Sequence, residues 1–441
     1  MIEREREEFA RRHRRSRELH ERAGGSLLAG VPMSWMTMWA GGHPVYLDSA
    51  KGARLVDVDG NEYADFCLGD TGAMAGHSPE PVMRAIREQA GLTTMLPTED
   101  AAWVGEELTR RFGLPYWQFS LSATDANRWL LRMCRQVTRR RRVAVFNWCY
   151  HGSVDEAFVT LDGSREGNVG PMVDPAETTR VAEFNEVDSV EAALAHGDVA
   201  CLLMEPALTN IGIVLPDEGN GSPESAGFLD AVRELCTRHG TLLIIDETHT
   251  FSAGPGGCTA AWNLQPDAIS LGKSIAGGVP IGAYGVSAEL AERIAAEEDA
   301  DYEDTGGVGG TLAGNALSLA AARACLGEVL TEPAFERMSA LRERFVAGVE
   351  AALERHSVPW SVVSLGARAE YRFAAEPPRT GAESAAAADR EVEEYLHLYL
   401  LNRGVLITPF HNMALMCPAT TEEQVDRHTE AFTAAVEELA P

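Results

Sequence analysis

The sequence predicts an α/β protein, with a large domain built on a mostly parallel sheet covered by helices and a smaller α+β domain formed by the N- and C-terminal segments. Three observations lead there. Short, continuously apolar segments such as "RVAVFN", "VACLLME" and "TLLIID" recur between helical stretches, as expected of strands buried on both faces. Near residue 313 the texture changes to long helices with short strands between them. A chain of 441 residues is also long enough for two cores.

The elements follow in chain order. Residues 2–22 read as one exposed amphipathic helix, and "AGGSLLAGVPMSWMTMW" follows as a Gly-rich and Met/Trp-rich stretch. "ARLVDVDGNEYADF" alternates apolar residues around Asp59-Gly60, a hairpin signal. "PVMRAIREQA" and "EDAAWVGEELTRRF" read as helices, "YWQFSL" as a strand, "DANRWLLRMCRQVT" as a helix and "RVAVFN" as a strand. "VACLLME", the helix "FLDAVRELCTRHG", "TLLIID", "AISLG" and "IGAYGV" continue the alternation. The Gly, Pro and Ser content of "PDEGNGSPESAG" at 216–227 marks an exposed insertion. "AGNALSLAAARACLGEVL" and "PAFERMSALRERFVAGVEAALERH" are the long helices after residue 313. The expected division is 1–70 as an N-terminal segment of the small domain, 71–312 as the large domain and 313–441 as the C-terminal small domain.

Composition narrows the class of function. A formal net charge of −28 argues against a polyanionic partner, because neutralising phosphates takes a basic surface. The arginine clusters "RRHRR" at 11–15 and "RRRR" at 139–142 therefore read as solvated faces rather than nucleic-acid patches. Eight cysteines without a CxxC pair argue for reduced thiols and against a zinc module. No run of about 18 apolar residues suggests a membrane span, and the charged N-terminus does not resemble a signal peptide. The chain reads as a cytoplasmic protein with no nucleic-acid or membrane partner and no metal.

Lysine has almost been emptied from the chain. Lys51 and Lys273 are the only lysines among 38 basic residues. Arginine can supply charge and surface ion pairs, whereas only lysine has a primary amine that can lose its proton and attack a carbonyl. Lys273 lies in "SLGKSIAGGVPIGA", directly after an apolar strand.

Ligands of open α/β sheets sit beyond the carboxyl ends of the strands. Besides Lys273, those ends carry Asp246 after "TLLII", the turn "SLSATDAN", Tyr150 and His151 in "VFNWCYHG", and Glu205 in "CLLMEP". Each has a simpler use as a cap, a turn residue or packing. Together they make one device: an amine to condense with an aldehyde, a helix start to bind a phosphate, and a buried carboxylate to keep a pyridine nitrogen protonated. Pyridoxal 5′-phosphate requires all three. An aromatic ring at Tyr150 would cover one face of it. Lys273 would anchor the cofactor and then act as general base.

These residues, with "VDVDGNEYADF", "GHSPEPVMRAI", "LLIIDETHT", "GTLAGN" and "NRGVLITP", resemble the class III aminotransferases of the pyridoxal-phosphate fold type I superfamily. Within it they resemble the glutamate-1-semialdehyde 2,1-aminomutase-like branch. The resemblance covers nearly the whole chain, and the 27 positions between Asp246 and Lys273 fit the family interval. It implies that Lys273 forms the cofactor aldimine, that Asp246 pairs with the ring nitrogen and that Tyr150 stacks on the ring. Ser122, Ala123 and Thr124 would hold the phosphate, and Thr311 would reach the phosphate of a neighbouring subunit, implying a homodimer with active sites at the subunit interface. His151, Glu205, Asn210, Thr248 and His249 complete the expected cofactor site.

Departures from the family pattern bear on substrate. Ala123 replaces a glycine, Asp125 a glutamate and Thr248 an aliphatic residue, and His249 stands where relatives carry glutamine or methionine. "VPMSWMTMWAGG" and "TPFHNMALMCP" lack the arginines that bind a substrate carboxylate in relatives. Arg368 and Arg372 lie near that region of the family fold, with a structural role the simpler reading for both. Two nucleotide readings fail on spacing. "LGKS" would need a glycine at residue 267, which is Asp267, and Leu312 stands three positions after Gly309 where a dinucleotide fingerprint needs glycine. The missing arginines favour a ping-pong aminotransferase moving an amino group between a bulky or apolar amine or amino acid and a keto acid. The alternative is an aminomutase of the glutamate-1-semialdehyde type, or a racemase or epimerase using the same carbanion.

Overall fold

The computed structural model describes residues 1–89, 91–93, 95–164, 169–218, 227–297 and 307–439. Residues 219–226 of the expected insertion lie outside the described residues. The chain forms two compact units, one of 80–332 with 378–386, the other of 1–79, 333–377 and 387–441.

The second of these contains β1 (Leu47–Lys51), β2 (Arg54–Asp57) and β3 (Glu62–Asp65). The expected hairpin is β2–β3, antiparallel, with Gly60 at φ +83° in its turn. The segment 2–22 differs from its expected single helix: it forms Ile2–Arg12 and Arg14–Ala23, separated at His13. Burial explains the break. The His13 ring is fully buried and bonds the Phe9 carbonyl at 2.8 Å and the Tyr63 hydroxyl at 2.7 Å. Asp59 then accepts from the Arg15 and Ser16 N–H groups that start the second helix.

Late in the chain come β13 (Ser361–Leu365), β14 (Arg368–Arg372), β15 (Val405–Leu406) and β16 (Met413–Leu415), of which β15 joins β3 in parallel. On β14, Arg368, Glu370 and Arg372 alternate onto one face and are all buried. Arg368 donates to the Thr71 hydroxyl at 2.7 Å, and Glu370 lies 3.7 Å from His411.

The same unit buries His428 among Phe345, Phe66 and Phe432, with ring centroids 4.3, 5.8 and 5.7 Å away. Burial lowers its pKa to about 3, so the folded chain holds it neutral. The unfolded chain takes up the proton below about pH 6.5, and stability is lost as pH falls from there toward 3. Replacement by phenylalanine is expected to remove about 2–3 kcal/mol of the loss incurred by about pH 4.5. Urea unfolding of both proteins at neutral and acid pH measures it.

The larger unit is a seven-stranded sheet in the order β4-β12-β11-β10-β9-β5-β8. Its strands are β4 (Tyr116–Ser120), β5 (Arg142–Phe146), β8 (Thr179–Ala182), β9 (Val199–Met204), β10 (Leu242–Asp246), β11 (Ala268–Leu271) and β12 (Gly282–Val286), while β6 (Val159–Thr160) and β7 (Gly163–Ser164) form a separate ladder. Only β12 runs antiparallel to its neighbours, so the expected mostly parallel sheet is present. All residues of β9, β10 and β11 are buried, which is why these strands read as unbroken apolar runs. Among the described residues no helix is long and apolar enough to cross a membrane.

Candidate active site

Because β4, β5, β9, β10 and β11 run the same way, their carboxyl ends share one edge of the sheet. That edge collects the chemistry the sequence scatters over more than 150 positions.

Asp246 ends β10 and is 3% exposed. Its Oδ2 accepts from the Asn127 amide at 2.8 Å and bonds the His151 Nδ1 at 2.9 Å, and its Oδ1 accepts from the Thr248 N–H at 3.0 Å. Burial alone would raise the carboxyl, but His151, Thr248 and Asn127 outweigh it and hold it below the usual carboxylate range. Burial alone would likewise lower His151, but Cys149 and the bond to Asp246 hold it well above the usual histidine range. The carboxylate is therefore anionic, oriented on three sides and able to pair with a cationic ring nitrogen. Asn127 is the residue that sequence reasoning passed over. It sits in the first turns of the helix Ala123–Thr138, and the signal was its spacing from Leu130, Leu131 and Cys134, which share the buried face of that helix.

Ser122 is the N-cap of that helix, its hydroxyl accepting from the Asp125 N–H at 3.3 Å. A helix start leaves backbone N–H groups for an anion, and two glycines keep this one clear. A Cβ on Gly272 would lie 2.9 Å from the Ala123 N, and one on Gly152 would lie 2.0 Å from the Thr124 hydroxyl. Gly152 also has φ +80°. Gly152→Ala is expected to cost about 2–4 kcal/mol, from overpacking and left-handed strain, and to weaken cofactor retention. Thermal unfolding and dialysis of the loaded protein check it.

Lys273 directly follows β11 and Gly272, and its backbone is left-handed at φ +47°. Its Nζ lies 2.7 Å from the His249 Nε2. Glu205, after β9, is buried, and its two oxygens take the hydroxyl and N–H of Thr209 at 2.5 and 3.2 Å. Burial, partly offset by the charge of His151, raises its pKa to about 7. Asn210 donates to the Trp148 carbonyl at 3.1 Å, and Tyr150 meets Phe158 edge-on with centroids 6.4 Å apart. The Thr248 hydroxyl and the His151 Nε2 are buried with no hydrogen-bond partner among the described residues.

Thr311 is not gathered into this group. It is exposed and lines an open cleft of about 1020 Å³ with Met95, Arg128, Arg132 and Leu312. Among the described residues no His, Cys, Asp and Glu group could hold a metal ion.

An anionic carboxylate, an amine and a helix start kept clear by glycines fit pyridoxal 5′-phosphate. The class-III aminotransferase family matches residues 37–436. The chain belongs to that family. It is a pyridoxal-phosphate enzyme of fold type I. The glutamate-1-semialdehyde 2,1-aminomutase 2 of Brevibacillus brevis is 33% identical to it over 406 residues, covering 89% of this chain and 90% of its own. The solved glutamate-1-semialdehyde-aminomutase of Pseudomonas aeruginosa PAO1 is 50% identical with a TM-score of 0.95, covering 99% and 97%. An omega-transaminase of Sphaerobacter thermophilus is 27% identical with a TM-score of 0.84, covering 96% and 97%.

These likenesses overturn the expected aminotransferase. Relatives at 50% and 33% identity carry the aminomutase name, and the transaminase stands at 27%. The expectation rested on arginine being absent from two linear segments. That absence does not decide whether an amino group leaves for a separate keto acid or returns to the neighbouring carbon.

Proposed function

We propose that the chain is a pyridoxal-phosphate-dependent aminomutase of the glutamate 1-semialdehyde type, moving an amino group between adjacent carbons of one small molecule. The observation that carries the reading is 50% identity across 99% of the chain to an enzyme of that name.

Bound pyridoxal 5′-phosphate supplies an aldehyde that takes up the amino group and a protonated ring that accepts the electron pair of a breaking C–H bond. The chain's own residues do the rest. Asp246 holds the ring proton in place, its charge kept by His151 and its direction by Asn127 and Thr248. The N–H groups at Ala123 and Thr124, with the Ser122 hydroxyl, bind the phosphate. Lys273 Nζ would anchor the cofactor and, once the substrate amino group has taken its place there and left Nζ a free amine, would take a proton from one substrate carbon and deliver one to the next. Tyr150 would cover a ring face, and Glu205 with Asn210 would border the site.

A homodimer belongs to the same proposal, with Thr311 serving the partner's phosphate. Its support is the exposed apolar surface around Thr311, where Met95, Leu96 and Leu312 are 90, 77 and 49% exposed.

The test is conversion of glutamate 1-semialdehyde by the purified enzyme with no amine donor or keto acid added. Isomerisation under these conditions is the expected result. Turnover that appears only when a keto acid is supplied would return the chain to aminotransfer.

A further inference from the structure

We propose that His249 is the proton partner of Lys273, the group that takes the proton from Nζ when that amine must act as base or nucleophile. The contact is built by strand register. Asp246 of β10 pairs with Ser270 of β11, and His249 and Lys273 each stand three residues past those paired positions. His249 is the N-cap of the short turn Thr250–Ala253, and Lys273 opens the turn Lys273–Ala276. Two separately anchored turns thus bring Nε2 and Nζ to 2.7 Å.

Two cationic heads at that distance repel, so the contact favours a single proton. When His249 accepts it, the N–H bond of Nζ breaks with its electrons left on nitrogen, and the imidazole becomes the cation. The lysine emerges with a free lone pair and no proton lost to solvent. A glutamine or methionine at residue 249 could not carry that proton. The inference concerns the amine itself and holds for any reaction Lys273 serves, so it does not depend on the aminomutase reading.

Among the described residues the ionisable groups of this rim include Asp125 at the helix start, Cys149, Tyr150 and His151 after β5, Glu205 after β9, and Asp246 and Glu247 at the end of β10. Glu205, raised to about 7 by burial, titrates in the same range as a histidine. It therefore has to be separated from His249.

The chain supplies its own reference amine, because Lys51 is the only other lysine and is exposed. Full-length protein freed of cofactor is treated briefly with cyanate across the histidine range. The Lys273:Lys51 carbamylation ratio is then read by peptide mass spectrometry. The ratio is expected to fall about tenfold as His249 loses its proton, since a neighbouring cation favours the neutral amine. Glu205→Gln keeps that step, whereas His249→Gln, which preserves a polar side chain, abolishes it. Capture of pyridoxal 5′-phosphate by the same proteins is expected to be about tenfold slower in His249→Gln and to lose its inflection. Superimposable wild-type and His249→Gln profiles in both measurements, or loss of the step in Glu205→Gln, would overturn the proposal.

Discussion

Lys273→Arg is expected to lower turnover by about 10⁴-fold or more, because a general base and a covalent anchor are lost together. Lys51→Arg should leave turnover within about twofold, as exposed charge-conserving changes usually do. The contrast isolates chemistry from charge. Arginine already supplies nearly all the positive charge of this chain, so a charge requirement at residue 273 would be met by the substitution. An amine requirement would not, since a guanidinium does not give up its proton. Lys273→Ala should be equally inactive and should fold, because alanine meets the same left-handed backbone that lysine already tolerates at φ +47°. Borohydride treatment followed by peptide mass spectrometry should place the cofactor on the Lys273 peptide in the wild type and Lys51→Arg proteins alone. Substantial turnover in Lys273→Arg would remove the basis of the proposed chemistry.

Asp246→Asn is the second large effect, expected at about 10³-fold in turnover, the scale of losing one preorganised charge at a reacting centre. Asparagine can keep part of the hydrogen bonding to His151 and the Thr248 N–H, so the fold should survive. What it cannot keep is the negative charge that, together with Cys149, raises the His151 pKa. The imidazole should therefore lose its proton at lower pH than in the wild type, which imidazole NMR signals report directly. Asp246→Ala removes the oxygens as well and is expected to cost about 3–5 kcal/mol, the penalty for breaking a buried ion pair. Because the Asp246 carboxyl titrates lower in the folded chain than in the unfolded one, its contribution is present above about pH 4 and fades below it. A wild-type rate in Asp246→Asn, or an unchanged His151 titration, would contradict this account of the charge pair.

The strands were legible because burial on both faces leaves little choice but unbroken apolar residues, as in "VACLLME" and "TLLIID". Their ends were legible too, which is how Asp246, Lys273, Tyr150, His151 and Glu205 could be named from spacing. Less visible was the terminal segment 2–22, whose charged face reads as solvent-exposed while Phe9, His13 and Ser16 are buried. Partners that bury such a face come from β3 and the turn before it, some 40 to 50 positions away, and periodicity alone does not report them.

By itself, the sequence determined the class of sheet and singled out Lys273 and Asp246 as the candidate amine and carboxylate, because these depend on residue type and local order. Only the tertiary structure decided that Asn127 and His151 hold that carboxylate and that His249 meets Lys273. Those contacts follow from strand register and helix phase, which bring together atoms 24 to 119 positions apart. Direction and distance at that scale are properties of the packed chain, set when neighbouring strands align and no earlier.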